Sequence, residues 1–268
     1  MKNILLKIEY DGTGFSGWQR QPDARTVQGE IESVLTQLCR MPVTIDGTGR
    51  TDAGVHALGQ CATFSGEFGI PVDRLMGAAN DILAESRLKA GDVRIVSVQE
   101  VDPDFHARFS AVGKTYVYRI FNSEDMPVFL RNYRYNVKKP LDFEAMVRAG
   151  EAFVGRQDFE AFMAQGSTPQ ETTVRTIFGL NVEKEGKEIA ISVTGDGFLY
   201  NMVRIIAGTL IDVGLGKIAA EDVAGIIASC DRKNAGHTAP PQGLFMAQVY
   251  FDEADMLAGA SVSRMREK

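Results

Sequence analysis

Residues 172–197 read TTVRTIFGLNVEKEGKEIAISVTGDG. Two runs rich in β-branched and apolar side chains flank a short polar turn at Glu185 and Gly186, and this pattern predicts a β-hairpin. Ahead of the hairpin, the alternating run KTYVYRIF (114–121) predicts a further strand, and an apolar stripe at helical spacing over 142–154 predicts a helix. The segment from residue 114 to the end of the hairpin therefore has the order strand, helix, strand, strand.

The elements on either side of this segment complete a repeat. Downstream, the sequence predicts helices over 199–213 and near 219–229 and a strand LFMAQVYF (244–251), so the second half has the order β-α-β-β-α-β with one added helix. The first half repeats this order, with strands predicted at 4–10, 42–47, 60–64 and 93–101 and helices at 27–38 and 71–83. Such units build antiparallel sheets with helices on one side. We expect an α+β fold divided near 103–113, in which only the tail after Asp252 is dispensable to the core.

The composition is that of an ordinary globular protein. The 268 residues are 44% hydrophobic and 24% charged, which suits one large or two moderate domains. Lys7 and Glu9 interrupt the apolar N-terminus before it reaches the length of a signal peptide, and nothing later approaches a membrane span. We therefore expect a cytoplasmic protein without membrane contact.

Cysteine and histidine are too scattered to predict a metal site. The three cysteines form no C-x-x-C pair, and no two of the three histidines have the i, i+4 spacing of a helical site. The residues concerned are Cys39, Cys61, Cys230, His56, His106 and His237. The sequence predicts neither a disulfide framework nor a bound metal.

The charge distribution points to a local surface for RNA. A formal net charge of −6 argues against indiscriminate binding of nucleic acid. The segment 105–139 nevertheless holds seven Lys and Arg against two acids, together with four of the seven tyrosines. Cations neutralise phosphates while aromatic rings stack on unpaired bases, so this mixture suits RNA. The alternative is solvated charges and core tyrosines on ordinary strands.

Two glycine-rich segments are candidate sites. In GTGRTDAGVHA (47–57), Arg50 and Asp52 lie two residues apart in a loop between strands, as a site with one catalytic carboxylate requires; the alternative is a turn in which Asp52 caps a backbone N–H. DGTGFSG (11–17) has the glycine spacing of a dinucleotide fingerprint. That interpretation fails because the segment WQRQP (18–22) intervenes before the helix, so these glycines are expected to serve a turn.

Longer motifs identify a family. GRTDAGVHA (49–57) closely resembles the catalytic motif of the tRNA pseudouridine synthase A family. IEYDGTGFSGWQRQ (8–21), FHARFSA (105–111), KTYVYRI (114–120) and MVRIIAG (202–208) are similar to further family segments in the same order. A long match supported by ordered companions is far more specific than a lone short motif.

The resemblance implies a fold and an activity. The fold would be two ferredoxin-like halves sharing a central antiparallel sheet, with residues 1–107 carrying the catalytic loop and residues 108–268 completing an RNA-binding cleft. The activity would be isomerisation of uridine to pseudouridine, without a cofactor, at positions thirty-eight to forty of the anticodon stem and loop of tRNA. The family also implies a homodimer in which one tRNA contacts both subunits.

The resemblance also assigns roles to individual residues. Asp52 would be the catalytic aspartate, Arg50 would hold the target nucleotide out of its helix, and Tyr116 would contact the uracil. Arg204 matches a basic position near the catalytic carboxylate. Further RNA contacts are expected from Arg20, Arg25, His106, Arg108 and Lys114. The chain departs from the family pattern at Ala84, Met163 and Asn201.

Two other classes of function stay open at this point. A non-catalytic tRNA-binding protein or folding helper would need the basic aromatic strands but not Asp52. A nucleoside hydrolase or glycosidase would normally need paired acids, and Asp46, the nearest other acid, belongs to the end of the preceding strand. Whether Asp52 would attack the base, attack the sugar or remove a proton is not decided by the sequence.

Overall fold

A computed structural model describes residues 1–85, 91–166 and 171–262. Its strands are β1 (Lys2–Tyr10), β2 (Asp46–Gly47), β3 (His56–Gly66), β4 (Val93–Val101), β5 (Gly113–Asn122), β6 (Tyr135–Val137), β7 (Gly155–Asp158), β8 (Val174–Glu185), β9 (Glu188–Gly195) and β10 (Leu244–Tyr250). Its α-helices are α1 (Val27–Cys39), α2 (Val72–Glu85), α3 (Phe143–Glu151), α4 (Met202–Gly214), α5 (Val223–Ala228) and α6 (Glu253–Ala260). Among these described residues, every helix is too short to cross a membrane.

The chain forms two compact units. The first comprises Met1–Ala111 and Phe245–Phe251, and the second comprises Val112–Leu244 and the residues from Asp252 onward. Both units are mixed α and β with mostly antiparallel strands, as expected from the sequence.

In the first unit, the strands lie in the order β4-β1-β3-β10. Strand β1 is antiparallel to both β3 and β4, whereas β10 runs parallel to β3 and pairs Phe245 with His56. The alternation in β1 buries Ile4, Leu6 and Ile8 completely, which is the period of a strand with one face in a core. The predicted order β-α-β-β-α-β is present here, although β2 is limited to two residues.

In the second unit, the strands lie in the order β5-β9-β8-β7 with antiparallel neighbours. The predicted hairpin is β8–β9, and Gly186 supplies the positive φ of +59° that its tight turn requires. Helix α3 packs closely on β8 at Gly150. A Cβ added at Gly150 would lie only 2.8 Å from the Leu180 side chain.

Residues 253–262, the described part of the tail after Asp252, pack on the core, contrary to the sequence expectation. They form α6, whose Met256 is buried against Gly113 of β5, and the carbonyl of Ala260 accepts a hydrogen bond from the side chain of Asn181. Asn181 and Leu180 are adjacent in β8 and point to opposite faces, so α6 covers the face of this sheet opposite to α3. The expected arrangement, with helices on one side of the sheet, is therefore wrong for α6.

Candidate active site

The loop between β2 and β3 carries Asp52, and its backbone is held on both sides of that residue. The hydroxyls of Tyr10 and Thr51 lie 2.7 Å apart, and the backbone N–H of Trp18 donates to the Thr51 carbonyl at 3.0 Å. On the other side, the Val55 N–H donates to the carbonyl of Asp52 at 3.1 Å. Burial strongly raises the pKa of Tyr10, so its hydroxyl stays neutral and can donate. Asp52 itself is partly exposed.

The glycines of DGTGFSG lie directly against this loop. A Cβ at Gly12 would collide with the carbonyl of Val55, and a Cβ at Gly17 would lie 2.7 Å from the carbonyl of Thr51. Gly17 also has a φ of +90°, which disfavours any other residue. The Gly12 N–H donates to Nδ1 of the buried His56 at 3.0 Å. These glycines therefore allow two backbone segments to meet, a use beyond the simple turn that the sequence suggested.

A buried polar network anchors the segment WQRQ (18–21). The Gln28 side chain accepts hydrogen bonds from the Gln19 side chain and the Arg20 N–H, and donates to Glu32 and to the carbonyl of Ile45. The Arg20 guanidinium pairs with Glu32 at 3.1 Å while its side chain stays 62% exposed. Arg20 is thus oriented by the fold and still accessible to a ligand.

Arg25 has several local contacts. Its guanidinium lies over the ring of Phe15 at 4.1 Å and forms ion pairs with Asp92 at 2.8 Å and Glu30 at 3.1 Å. The pKa of Arg25 is raised: burial would lower it, and the hydrogen bonds and charges of the two carboxylates together outweigh burial. These contacts stabilise the segment before α1, and the RNA contact expected of Arg25 stays a prediction.

The FHARFSA segment presents an aromatic and basic turn. The Asn3 side chain donates to the carbonyl of Phe105, and the N–H of Ala107 donates to Thr63 Oγ1, so the turn is fixed to the sheet. His106 and Phe109 have ring centroids 4.5 Å apart, and the Arg108 guanidinium lies 5.7 Å from the Phe109 ring. Phe109 is 76% exposed. The sequence interpretation omitted it, although its place beside Arg108 was a usable signal.

Three expected site residues lie in the second unit. Tyr116 on β5 is buried and meets Phe198 edge to face at 5.1 Å, and Lys114 on the same strand is half-buried. Arg204, in the first turn of α4, donates from Nε to the Ala239 carbonyl at 2.8 Å and from Nη1 to the Asn201 side chain at 2.6 Å.

Asn201 therefore has a structural role at a position where the chain departs from the family pattern. Its φ of +60° is left-handed, a conformation that asparagine tolerates better than most residues.

The expected site residues are divided between the two units: Arg50 and Asp52 belong to the first unit, and Tyr116 and Arg204 belong to the second. Their partnership stays a prediction.

One group of side chains in the described ranges has the spacing of metal ligands. Atoms of Asp158, Glu160 and Cys230 lie within 4.8 Å of one another. Burial and then the two neighbouring carboxylates raise the pKa of the Cys230 thiol. Exposed acidic groups commonly have such spacing without binding an ion, so no role is assigned to this cluster.

Comparison with known proteins gives first the class and then the family. A family model for tRNA pseudouridine synthase matches residues 7–110 and 149–252, which defines an RNA-modifying isomerase. The chain is 49% identical to tRNA pseudouridine synthase A of Acetivibrio thermocellus over 251 residues, covering 94% of this chain and 100% of the relative. It is 47% identical to the enzyme of that name from Caldicellulosiruptor bescii, with the same coverage, and 49% identical to that of Halalkalibacterium halodurans over 91% of this chain and 90% of the relative. The chain belongs to the tRNA pseudouridine synthase A family.

Proposed function

We propose that this enzyme isomerises uridine to pseudouridine at positions thirty-eight to forty of the anticodon stem and loop of tRNA, with Asp52 as the catalytic residue. The observation that carries the proposal is the partly exposed Asp52 between the buried Thr51 and Val55, whose backbone groups are hydrogen-bonded. A fixed backbone with an accessible carboxyl group suits a reaction that depends on the position of one side chain.

The chemistry requires little else. The reaction breaks the N-glycosidic bond of uridine, turns the uracil while it stays bound, and rejoins it to the sugar through carbon. No electron or group is imported, so the residues of the chain are sufficient. One carboxylate that adds to the base or sugar, or removes a sugar proton, can supply the step.

The other site residues support this role. Arg50 is exposed and can occupy the place that the extruded nucleotide leaves, offsetting an unstacking cost of a few kcal/mol. Tyr116 would contact the freed uracil, and base–aromatic contacts are typically worth about 1–3 kcal/mol. By the resemblance, Arg204 matches a basic position near the catalytic carboxylate and would supply positive charge to the site.

The remaining expectations are part of the same proposal. Exposed Arg20 and Arg108, with His106, Arg25 and Lys114, would contact phosphates of the tRNA. The two units would correspond to ferredoxin-like halves, and the resemblance supports a cytoplasmic homodimer in which one tRNA contacts both subunits.

The experiment measures pseudouridine formation in the anticodon stem and loop of tRNA by the variants Asp52→Asn and Asp46→Asn. We expect Asp52→Asn to lose pseudouridine formation and to keep tRNA affinity, because the amide conserves size but cannot act as a base or nucleophile. Asp46, an exposed residue of β2, should be dispensable. Activity in the Asp52→Asn variant would refute the proposal, and release of free uracil with dependence on both acids would identify a glycosidase.

A further inference from the structure

The segment 235–240, called here the strap, crosses α4 without regular secondary structure. Two glycines allow its close approach. A Cβ at Gly208 of α4 would collide with the carbonyl of His237, and a Cβ at Gly236 would lie 2.6 Å from the Cα of Thr209. The N–H of Gly236 donates to Thr209 Oγ1 at 2.9 Å. The strap is therefore seated on one face of α4 by backbone contacts.

A carboxylate of α4 clamps the middle of the strap. Asp212 Oδ2 accepts hydrogen bonds from the backbone N–H of His237 at 3.2 Å and from its Nδ1 at 2.9 Å. Asp212 Oδ1 accepts from the Lys217 ammonium at 2.7 Å. The Asp212 side chain is 9% exposed, whereas that of Lys217 is 62% exposed. The contact with His237 is thus the better shielded of the two and the one that reaches the strap.

The end of the strap holds Arg204. The N–H of Ala239 donates to the backbone carbonyl of Arg204 at 3.0 Å, and the carbonyl of Ala239 accepts from Arg204 Nε at 2.8 Å. This pair of bonds makes the position of the guanidinium depend on the position of Ala239. Only Thr238 separates Ala239 from the clamped His237. The next residue, Pro240, is also fixed, since its carbonyl accepts from the Tyr118 hydroxyl at 2.8 Å.

We propose that His237, clamped by Asp212, is a positioning residue that sets the Arg204 guanidinium for catalysis. The inference rests on the proposed function through the role of Arg204. A shift of about 1 Å in a positioned group can cost about 100-fold in rate. Loss of the imidazole removes one of the two hydrogen bonds that Asp212 accepts from residue 237, while the backbone N–H of that residue and the Arg232 guanidinium still hold the strap. The middle of the strap is then held less firmly, and with it the Ala239 carbonyl that accepts from Arg204 Nε.

The experiment measures single-turnover rate and tRNA affinity for His237→Ala, Arg204→Lys and the double variant. We expect His237→Ala to lower the rate about 10- to 100-fold with tRNA affinity little changed. Lysine keeps the charge but lacks the Nε–H that binds Ala239, so His237→Ala should cost little more in the Arg204→Lys background. If the rate losses of the two single variants multiply in the double variant, or if His237→Ala has a normal rate, the proposal is wrong.

Two controls separate positioning from general damage. Lys217→Ala removes the exposed partner of the same carboxylate and should leave the rate near that of the unchanged enzyme. His237→Asn places a shorter hydrogen-bond donor beside Asp212, so its rate should be higher than that of His237→Ala. This comparison still tests the proposal if His237→Ala has a lowered melting temperature. If Asp52→Asn is active, the proposed function fails; if it is inactive while His237→Ala is normal, only the positioning role fails.

Discussion

The hydroxyl of Tyr10 lies 2.7 Å from Oγ1 of Thr51, the residue immediately before Asp52, and both side chains are buried. Tyr10 is the last residue of β1, and β1 pairs with both β3 and β4. The hydrogen bond thus connects the loop that carries Asp52 to a strand that is paired on both sides. We expect a loop anchored in this way to keep its geometry when a substrate binds, because moving Thr51 would break a buried polar contact.

Tyr10→Phe tests this anchor. The substitution leaves a buried Thr51 hydroxyl without its partner, which typically costs about 1–3 kcal/mol. We expect a drop of that size in the free energy of unfolding in urea and a lower kcat. Tyr200→Phe, at a residue that is 49% exposed, serves as the matched control and should change neither quantity. Unchanged stability and kcat in Tyr10→Phe would show that the contact is dispensable.

Gly12→Ala tests the contact between the two glycine-rich segments. The added methyl group would collide with the Val55 carbonyl, which is backbone and cannot rotate away. We expect a loss of several kcal/mol in unfolding free energy, or no soluble protein, with activity lost because the loop must move. Gly225→Ala in α5 meets nothing within 4 Å and should stabilise by about 0.5–1 kcal/mol. Equal behaviour of the two variants would contradict the proposed packing.

Arg108→Ala tests the basic aromatic turn. If Arg108 contacts a phosphate, its loss should weaken tRNA binding without changing kcat. The slope of log Kd against the logarithm of salt concentration should also fall by about 1, the value for one phosphate contact. Arg74→Ala, at an exposed arginine of α2, is the control for lost charge alone. The same salt dependence in Arg108→Ala and the unchanged enzyme would remove Arg108 from the RNA surface.

Cys61 makes stability sensitive to alkaline pH. Burial raises the pKa of its thiol from 9.0 to about 11, although the Lys7 charge acts in the opposite direction. As pH rises, the Cys61 thiol loses its proton in the unfolded chain before it does so in the folded protein. The free energy of unfolding therefore keeps its full value below about pH 9 and falls as pH rises toward 11, by on the order of 2 kcal/mol. Urea unfolding at several pH values should show this slope, and Cys61→Ala should flatten it. An identical slope in both proteins would assign the pH dependence to other groups.

Local pattern was enough to predict most of the elements and the candidate residue. The β8–β9 hairpin follows from two β-rich runs around Gly186, and helices α1 to α5 follow from apolar residues at helical spacing, because both signals depend on neighbours along the chain. Asp52 became the candidate for the same reason, since its motif is contiguous. Helix α6 was not predicted. The extent of β2 was less predictable, because the Ile45 N–H is bonded to the Glu32 side chain of α1 instead of to a strand.

Contacts between distant residues were decided only by the tertiary structure. Sequence showed a last strand but not that Phe245 pairs with His56, and it showed a tail but not that Met256 packs on Gly113. It also gave no sign that Gly12 meets Val55, or that the strap holds Arg204. These contacts depend on how separate elements pack, and periodicity within one element carries no information about which partner will cover it.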